Sequence, residues 1–247
     1  MNEESKRKQI KKYFQPFPKW AIWATLIGLV MTIIGANTSG GVIGVGVIVL
    51  AIGIITIVLS TQGKPTDNQI DDWFNEDLSS MEAKALNKLG LDKEDLIGET
   101  ITITGPILWG ASGVPQKDLK FKKGKDKYVR FSIYKITLFL ITEKQIGTYQ
   151  CIFNFMKNVT LNDSTDEYFY KDVTSVRTRE ESSNFTLPNG QKLINSETFS
   201  LQVAGNNAIE VVLNDPALEK YTGGSIPTSR AEKSVQTIRT LLREKKS

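Results

Sequence analysis

Histidine is absent from the chain, and cysteine occurs once, as Cys151, among 247 residues. These shortages exclude a Cys/His zinc cluster, a Ser-His-Asp triad and an internal disulfide. With no histidine to activate its thiol, Cys151 reads as a small hydrophobe buried in a strand. Phosphate-cradling loops are missing as well: neither GxxxxGK[ST] nor a strand-to-helix GxGxxG occurs, which argues against a P-loop NTPase or a dinucleotide enzyme. Acidic residues are plentiful, but no spacing among them singles out a carboxylate pair for acid/base work. The chain is therefore expected to bind rather than catalyse, with no cofactor and no metal.

Charge is missing entirely from residues 20–63, and that gap organises the rest of the reading. Within it, residues 20–36 (WAIWATLIGLVMTIIGA) and 42–60 (VIGVGVIVLAIGIITIVLS) each approach the roughly 20 apolar residues that cross a hydrocarbon core. Only Asn37-Thr38-Ser39-Gly40-Gly41 separates them, so the expectation is a two-span transmembrane hairpin over 20–60 and not a cleaved signal peptide. The segment 1–19 holds six basic residues against Glu3 and Glu4, whereas the remainder of the chain balances at 25 basic and 25 acidic. Basic residues stay on the cytoplasmic side, which places both termini in the cytoplasm beneath a bacterial inner membrane. Lys19, Trp20 and Trp23 fit the membrane interface, where indole rings and snorkelling lysines sit.

Small residues recur every seven positions in the two runs: Ala21, Gly28 and Gly35, then Gly46, Gly53 and Ser60. Such stripes let helices approach closely in lipid. Run antiparallel, they would pair Ala21 with Ser60, Gly28 with Gly53 and Gly35 with Gly46. Gly40 and Gly44 form a further small pair suited to contacts between subunits. One hairpin cannot enclose an aqueous path, so a pore would require a homo-oligomer, with Thr25 and Thr32 as its polar lining. An anchor in the lipid bilayer explains the hairpin without that requirement, and the spans carry no ionisable group of the kind that marks a transport path.

Residues 61–68 read as a linker and 69–92 as a helical connector in two segments, the first presenting Ile70, Trp73 and Phe74 and the second Met81, Ala85, Leu86 and Leu89. Gly90 is the expected stop. Asp71, Asp72, Glu76 and Asp77 suit a solvated helical face better than a metal site. From residue 99 the period becomes that of strands, expected near 100–109, 128–142, 147–156, 167–179, 192–204 and 208–214. Turns are expected at Gly147, Pro188-Asn189-Gly190 and Gly205-Asn206-Asn207. An amphipathic helix over 229–245 starts on a capping-box spacing, Ser229 to Glu232, and carries Val235, Ile238, Leu241 and Leu242. The fold class is thus a transmembrane hairpin followed by an α+β domain over 99–247, an antiparallel β barrel or sandwich closed by a C-terminal helix.

One local feature carries chemistry. Lys117, Lys120, Lys122, Lys123, Lys125, Lys127 and Arg130 fall within fourteen residues, interleaved with Phe121 and Tyr128. Such a loop can neutralise phosphates while its rings stack on bases, or it can meet anionic lipid at the inner leaflet. A solvated hairpin tip around Gly124 is the plainer alternative. Asn158-Val159-Thr160 and Asn184-Phe185-Thr186 match a glycosylation acceptor that a cytoplasmic domain would not use.

The phrase YKDVTSV (Tyr170 to Val176), the strand pairs after it and the terminal AEKSVQTIRTLL (Ala231 to Leu242) resemble bacterial pleckstrin-homology-like and GRAM-type domains. That resemblance, over about residues 100–245, implies ligand, protein or lipid binding and oligomer scaffolding. With the two-span hairpin in front, the layout is similar to membrane channel effectors of anti-phage systems such as Hailong. There the likeness implies a nucleotide or oligonucleotide signal, an enzyme that makes it, and spans that change membrane permeability. The alternative is a membrane-anchored scaffold or recruitment protein that binds protein or anionic lipid.

Overall fold

A computed structural model describes residues 2–36, 40–108, 112–181, 196–204, 208–214, 216–227 and 229–246. The expected turns at 37–39, 188–190 and 205–207, the Asn184 acceptor sequence and the capping side chain of Ser229 lie outside what is described. The chain divides into two compact units, Met1–Thr66 and Asp67–Ser247.

The first unit is helical. Helix α1 (Glu3–Tyr13) begins where the Asn2 side chain accepts the Glu4 N–H at 3.3 Å. Its acidic first turn and basic last turn, Lys11 and Lys12, match the helix dipole. Two apolar helices follow, α2 (Lys19–Gly35) and α3 (Gly40–Thr61). Residues 41–61 of α3 are long and apolar enough to cross a membrane, whereas α2 is a shorter apolar helix of 17 residues, about 25 Å. Among the described residues, therefore, one helix of spanning length stands where the sequence suggested two.

Helices α2 and α3 lie antiparallel, and glycine sets how closely they meet. A Cβ built on Gly53 would fall 2.7 Å from the Thr25 amide nitrogen, one on Gly46 2.6 Å from that of Thr32, and one on Gly28 2.3 Å from that of Leu50. Gly35 meets Ile43 in the same way, at 2.6 Å. This register differs from the expected pairing of small residue with small residue, because each glycine is offset by three positions along α3. The reason is packing: two facing glycines leave a void, while a glycine facing a larger residue's backbone fills it. The Ser60 hydroxyl donates to the Ile57 carbonyl of its own helix at 2.8 Å.

The second unit opens with α4 (Asp67–Leu89), one continuous helix where two segments were expected. It stops at Gly90, whose φ of +62° only glycine adopts without strain, and the Leu91 N–H closes the end on the Leu86 carbonyl at 3.0 Å. Strands β1 (Ile101–Pro106), β4 (Ile133–Ile141), β5 (Gln145–Asn154) and β6 (Val159–Phe169) form one antiparallel sheet in the order β1-β4-β5-β6. A short hairpin pairs β2 (Phe121–Lys123) with β3 (Val129–Phe131), and a third sheet runs β7 (Val173–Glu181), β8 (Ser196–Val203), β9 (Ala208–Asn214). Helix α5 (Pro216–Thr222) and helix α6 (Ser229–Lys246) complete the unit.

The two larger sheets and α6 share one core. Ile103, Phe139 and Ile146 meet Phe199, Leu201 and Val211 there, with Ile238 of α6 fully buried among them. Phe139 and Phe199 contact edge to face, centroids 6.2 Å apart. The unit is thus α+β and mostly antiparallel, but its described strands do not close a barrel. Closure would need β6 to pair with β7 and β9 with β1, and neither pairing forms among the described strands; the 3₁₀ turn Tyr170–Asp172 sends the chain from one sheet to the other. A smaller core of Leu108, Val129, Phe131 and Leu218 seats the β2–β3 hairpin on α5.

Candidate anion-binding groove

The lysine-rich segment folds as the β2–β3 hairpin, with its turn at Gly124–Lys127. Gly124 donates to the Tyr128 carbonyl at 2.8 Å, and Lys127 takes the left-handed conformation, φ +70°. The turn is tied to the start of α4, since the Lys125 N–H donates to Asp67 Oδ2 at 2.8 Å. Gly124 is needed at this spot: a Cβ there would lie 2.3 Å from Arg130 NH1 and 2.9 Å from Asp67 Oδ2.

Arg130 is not the free cation that its position in the basic run suggested. Its guanidinium is buried and bidentate to Asp71, Nε to Oδ1 at 2.7 Å and NH2 to Oδ2 at 2.6 Å. It also grips Asp126, at 3.0 Å through NH1 and 2.6 Å through NH2. The Arg130 hydrogen bond holds the Asp126 carboxyl below its ordinary range. Planar fork geometry explains why an arginine serves here, for a lysine could not join both carboxylates in this way. The residue is a clasp between hairpin and helix, and as an anion ligand it is already engaged.

The lysines divide. Lys123 donates its ammonium to the Gly223 carbonyl, and Lys122 also has a partner. Lys120 is half-buried beside β2, its N–H held by Ser132 Oγ at 2.7 Å. Lys117, Lys125 and Lys127 are exposed. The acidic residues of the same stretch do not cancel them: Asp118 is buried and accepts from Asn154 and Lys157, and Asp126 is committed to Arg130.

Beside the hairpin lies a groove of about 420 Å³. Phe74 of α4, Tyr128 and Phe131 of the hairpin and Tyr134 of β4 give it aromatic walls, while Asp71, Asn75, Thr102, Thr104 and Arg130 supply polar atoms. Phe74 packs on Tyr134 with ring centroids 4.5 Å apart. The Tyr134 hydroxyl accepts the Phe131 N–H at 3.0 Å, and burial pushes its pKa up to about 12, so it stays neutral. Tyr128, 47% exposed, belongs to both the groove and the lysine hairpin. An apolar, ring-lined groove with a few convergent polar groups is the usual form of a small-ligand site. Phe74, Thr102, Thr104 and Tyr134 escaped the sequence reading because they are scattered along some sixty residues. Tyr128 and Arg130, both in the basic run, are the local signals that coincide with the groove.

Elsewhere in this unit a charged cluster joins α4 to β6. Asp163 Oδ2 takes Lys84 and Lys88 at 2.8 Å each, and these hydrogen bonds hold its carboxyl well below the usual range. The Tyr149 hydroxyl completes the cluster at 3.3 Å. Cys151 is buried on β5, and burial pushes its thiol up to about 11, so it is protonated and inert at neutral pH. Among the described residues, no group of His, Cys, Asp and Glu could hold a metal ion.

The other proposed residues fall in the helical unit. Trp20 and Trp23 are 57% and 66% exposed at the start of α2, next to an exposed Lys19. Ala21, Gly28, Gly35, Gly46 and Gly53 are buried in the seam between α2 and α3, and Ser60 is half-buried. Thr25 and Thr32 lie in that same seam, against Gly53 and Gly46, and donate to the Ala21 and Gly28 carbonyls at 2.8 Å each. Hydroxyls so placed face the neighbouring helix of the same chain. No family model matches the chain, and no curated protein or solved structure matches it.

Proposed function

We propose that the chain is a membrane-anchored receptor whose second unit binds an anionic, ring-bearing ligand, with a nucleotide or a short oligonucleotide as the best-fitting class. The observation that carries this reading is the continuity of an aromatic groove with a lysine hairpin through Tyr128. A base would stack against Tyr128 and Phe74, and its phosphates would meet Lys120, Lys125 and Lys127. The anchor is α3 with α2 packed against it, both in the bilayer of a bacterial inner membrane, and the basic segment 1–19 keeps both termini on the cytoplasmic side.

A channel is the further step of this reading. Gly41 and Gly44 have nothing within 4 Å, so α3 offers an open, small-residue face on which copies of the chain can assemble. In that oligomer the ligand would come from a nucleotide-producing partner enzyme and would control permeability, as in anti-phage effectors with a pleckstrin-homology-like domain. Recruitment of a protein or of anionic lipid by the same groove is the competing use.

The test uses the full chain in detergent, with labelled single-stranded oligonucleotides and mononucleotides as probes. Substituting Lys120, Lys125 and Lys127 by glutamine should lower the slope of log affinity against log salt by about 2, at roughly 0.7 per single-strand phosphate neutralised. Tyr128→Ala should weaken binding by about tenfold with little change in that slope. Binding untouched by both variants, or seen only with anionic lipid in mixed micelles, would overturn the nucleotide reading.

A further inference from the structure

A second cleft, of about 340 Å³, opens between α6 and β7. Arg239, Leu242 and Arg243 form its helical wall, and Val173, Thr174, Ser175 and Val176 form its strand wall. The two arginines are four residues apart and therefore project from one face of α6. Arg239 donates to Thr178 Oγ1, which draws its guanidinium over β7. Strict alternation would send Thr174 and Ser175 to opposite faces of the strand. A register shift in the β7–β8 pairing between Val173 and Ser175 breaks that alternation, and four consecutive residues line the cleft as a result. Both hydroxyls are anchored on Gln202, Thr174 Oγ1 to its carbonyl at 3.2 Å and Ser175 Oγ to its Oε1 at 2.8 Å.

Among the described residues, no aspartate or glutamate lines the cleft. Two guanidiniums on successive turns thus share one opening without an internal counter-charge, and each presents N–H donors in a planar fork. A monoanionic carboxylate satisfies one fork. A dianionic tetrahedral group offers three terminal oxygens and satisfies both. The apolar floor of Val173, Val176 and Leu242 leaves room beneath the anion for the group that carries it.

We propose that the α6–β7 cleft is a second anion site, independent of the lysine hairpin, and that it takes a phosphomonoester. The phosphomonoester can belong to a soluble molecule or to a lipid headgroup, since the recognised chemistry is the same. The two sources are separated by the probe. Full-length protein carrying Lys120→Gln, Lys125→Gln and Lys127→Gln, so that the hairpin's contribution is reduced, is titrated calorimetrically in detergent with glycerol 3-phosphate and with inorganic phosphate. A parallel titration uses dioctanoyl phosphatidic acid in mixed micelles, with dioctanoyl phosphatidylglycerol as the phosphodiester control.

Saturable binding of glycerol 3-phosphate, displaced by inorganic phosphate, marks a soluble ligand. Binding of phosphatidic acid alone, over phosphatidylglycerol, marks a headgroup. In either case Arg243→Gln should weaken binding about tenfold, and Arg243→Lys, which keeps the charge but not the fork, should recover only part of it. Circular dichroism and the unfolding midpoint of each variant show that the fold is retained. Absence of binding to every probe, or binding unchanged in the Arg239→Gln/Arg243→Gln double variant, overturns the proposal.

Discussion

Replacing Arg130 with alanine tests the clasp that holds the lysine hairpin to α4. The arginine side chain is only 7% exposed, whereas Asp71 and Asp126 are 49% and 34% exposed. Removing one partner of a fully buried ion pair costs about 3–5 kcal/mol, because the remaining charge is stranded. Here water can reach both carboxylates once the guanidinium is gone, which brings the expected loss down to about 2 kcal/mol. Acidity gives a second readout. Arg130 depresses the folded-state pKa of Asp126, so this part of the stability is present above the unfolded carboxyl value and lost as pH falls through the folded one. Urea unfolding of the full chain in detergent should therefore show parent and Arg130→Ala converging as pH falls below about 4. A loss under about 0.5 kcal/mol at neutral pH would refute the reasoning. So would full stability in Arg130→Lys, because lysine cannot form the fork.

Three further outcomes follow from the same geometry. Gly46→Ala should weaken the helix pair, since a Cβ there would lie 2.6 Å from the Thr32 amide nitrogen, and a variant as thermally stable as the parent would favour the glycine-to-glycine register instead. Gly28→Ala should loosen the helix pair, since its Cβ has 2.3 Å to the Leu50 nitrogen, while Gly44→Ala, with nothing within 4 Å, should be neutral in the monomer; equal thermal stability of the two variants would contradict the seam. Asp163→Asn should cost about 1 kcal/mol at neutral pH, a figure kept low because Lys84 and Lys88 are 40% and 39% exposed. As with Asp126, the depressed folded pKa means that this contribution vanishes in acid, and an unfolding free energy unaffected by the substitution at pH 7 would dismiss the cluster as a stabilising contact.

Where one residue's neighbours in sequence are also its neighbours in space, the fold was legible beforehand. Helix α6 is an example: its apolar stripe and the Ile238 it buries follow from a period of 3.6, and Gly90 ends α4 for a reason visible in its own backbone. Strand β6 was hidden because VTLNDSTDEYF has no buried face to alternate, every position being exposed or half-buried. The left-handed Asn158 just before it and Asn162 within it resemble turn residues more than strand residues. Arg130 illustrates the opposite failure. Charge density along the chain placed it with the lysines, and only the fold brings Asp71, fifty-nine residues away, against its guanidinium. Groove walls drawn from α4, β1, the hairpin and β4 share no local signature at all.

The helical seam bears on where the chemistry of this protein resides. Heptad spacing of small residues is satisfied by two arrangements, facing or offset, and sequence does not choose between them. The offset seen here places Thr25 and Thr32 against glycine, with their hydroxyls returned to their own helix. Beyond Trp20 and Trp23, the large exposed side chains of α2 and α3 are aliphatic, from Leu26, Val30 and Ile33 to Ile48, Ile52 and Ile55. A surface of that kind suits lipid or another apolar helix and presents no polar path to water. A permeability function would then depend on polar groups at α3 positions such as Thr56 and Thr61, the first half-buried and the second exposed, whose hydroxyls at present donate to their own backbone. Substituting Thr56 and Thr61 by valine should abolish ion flux from liposomes if copies of α3 line a pore, whereas Thr25→Val/Thr32→Val should leave flux intact. Flux lost in the seam variant but kept in the α3 variant would return the lining to α2.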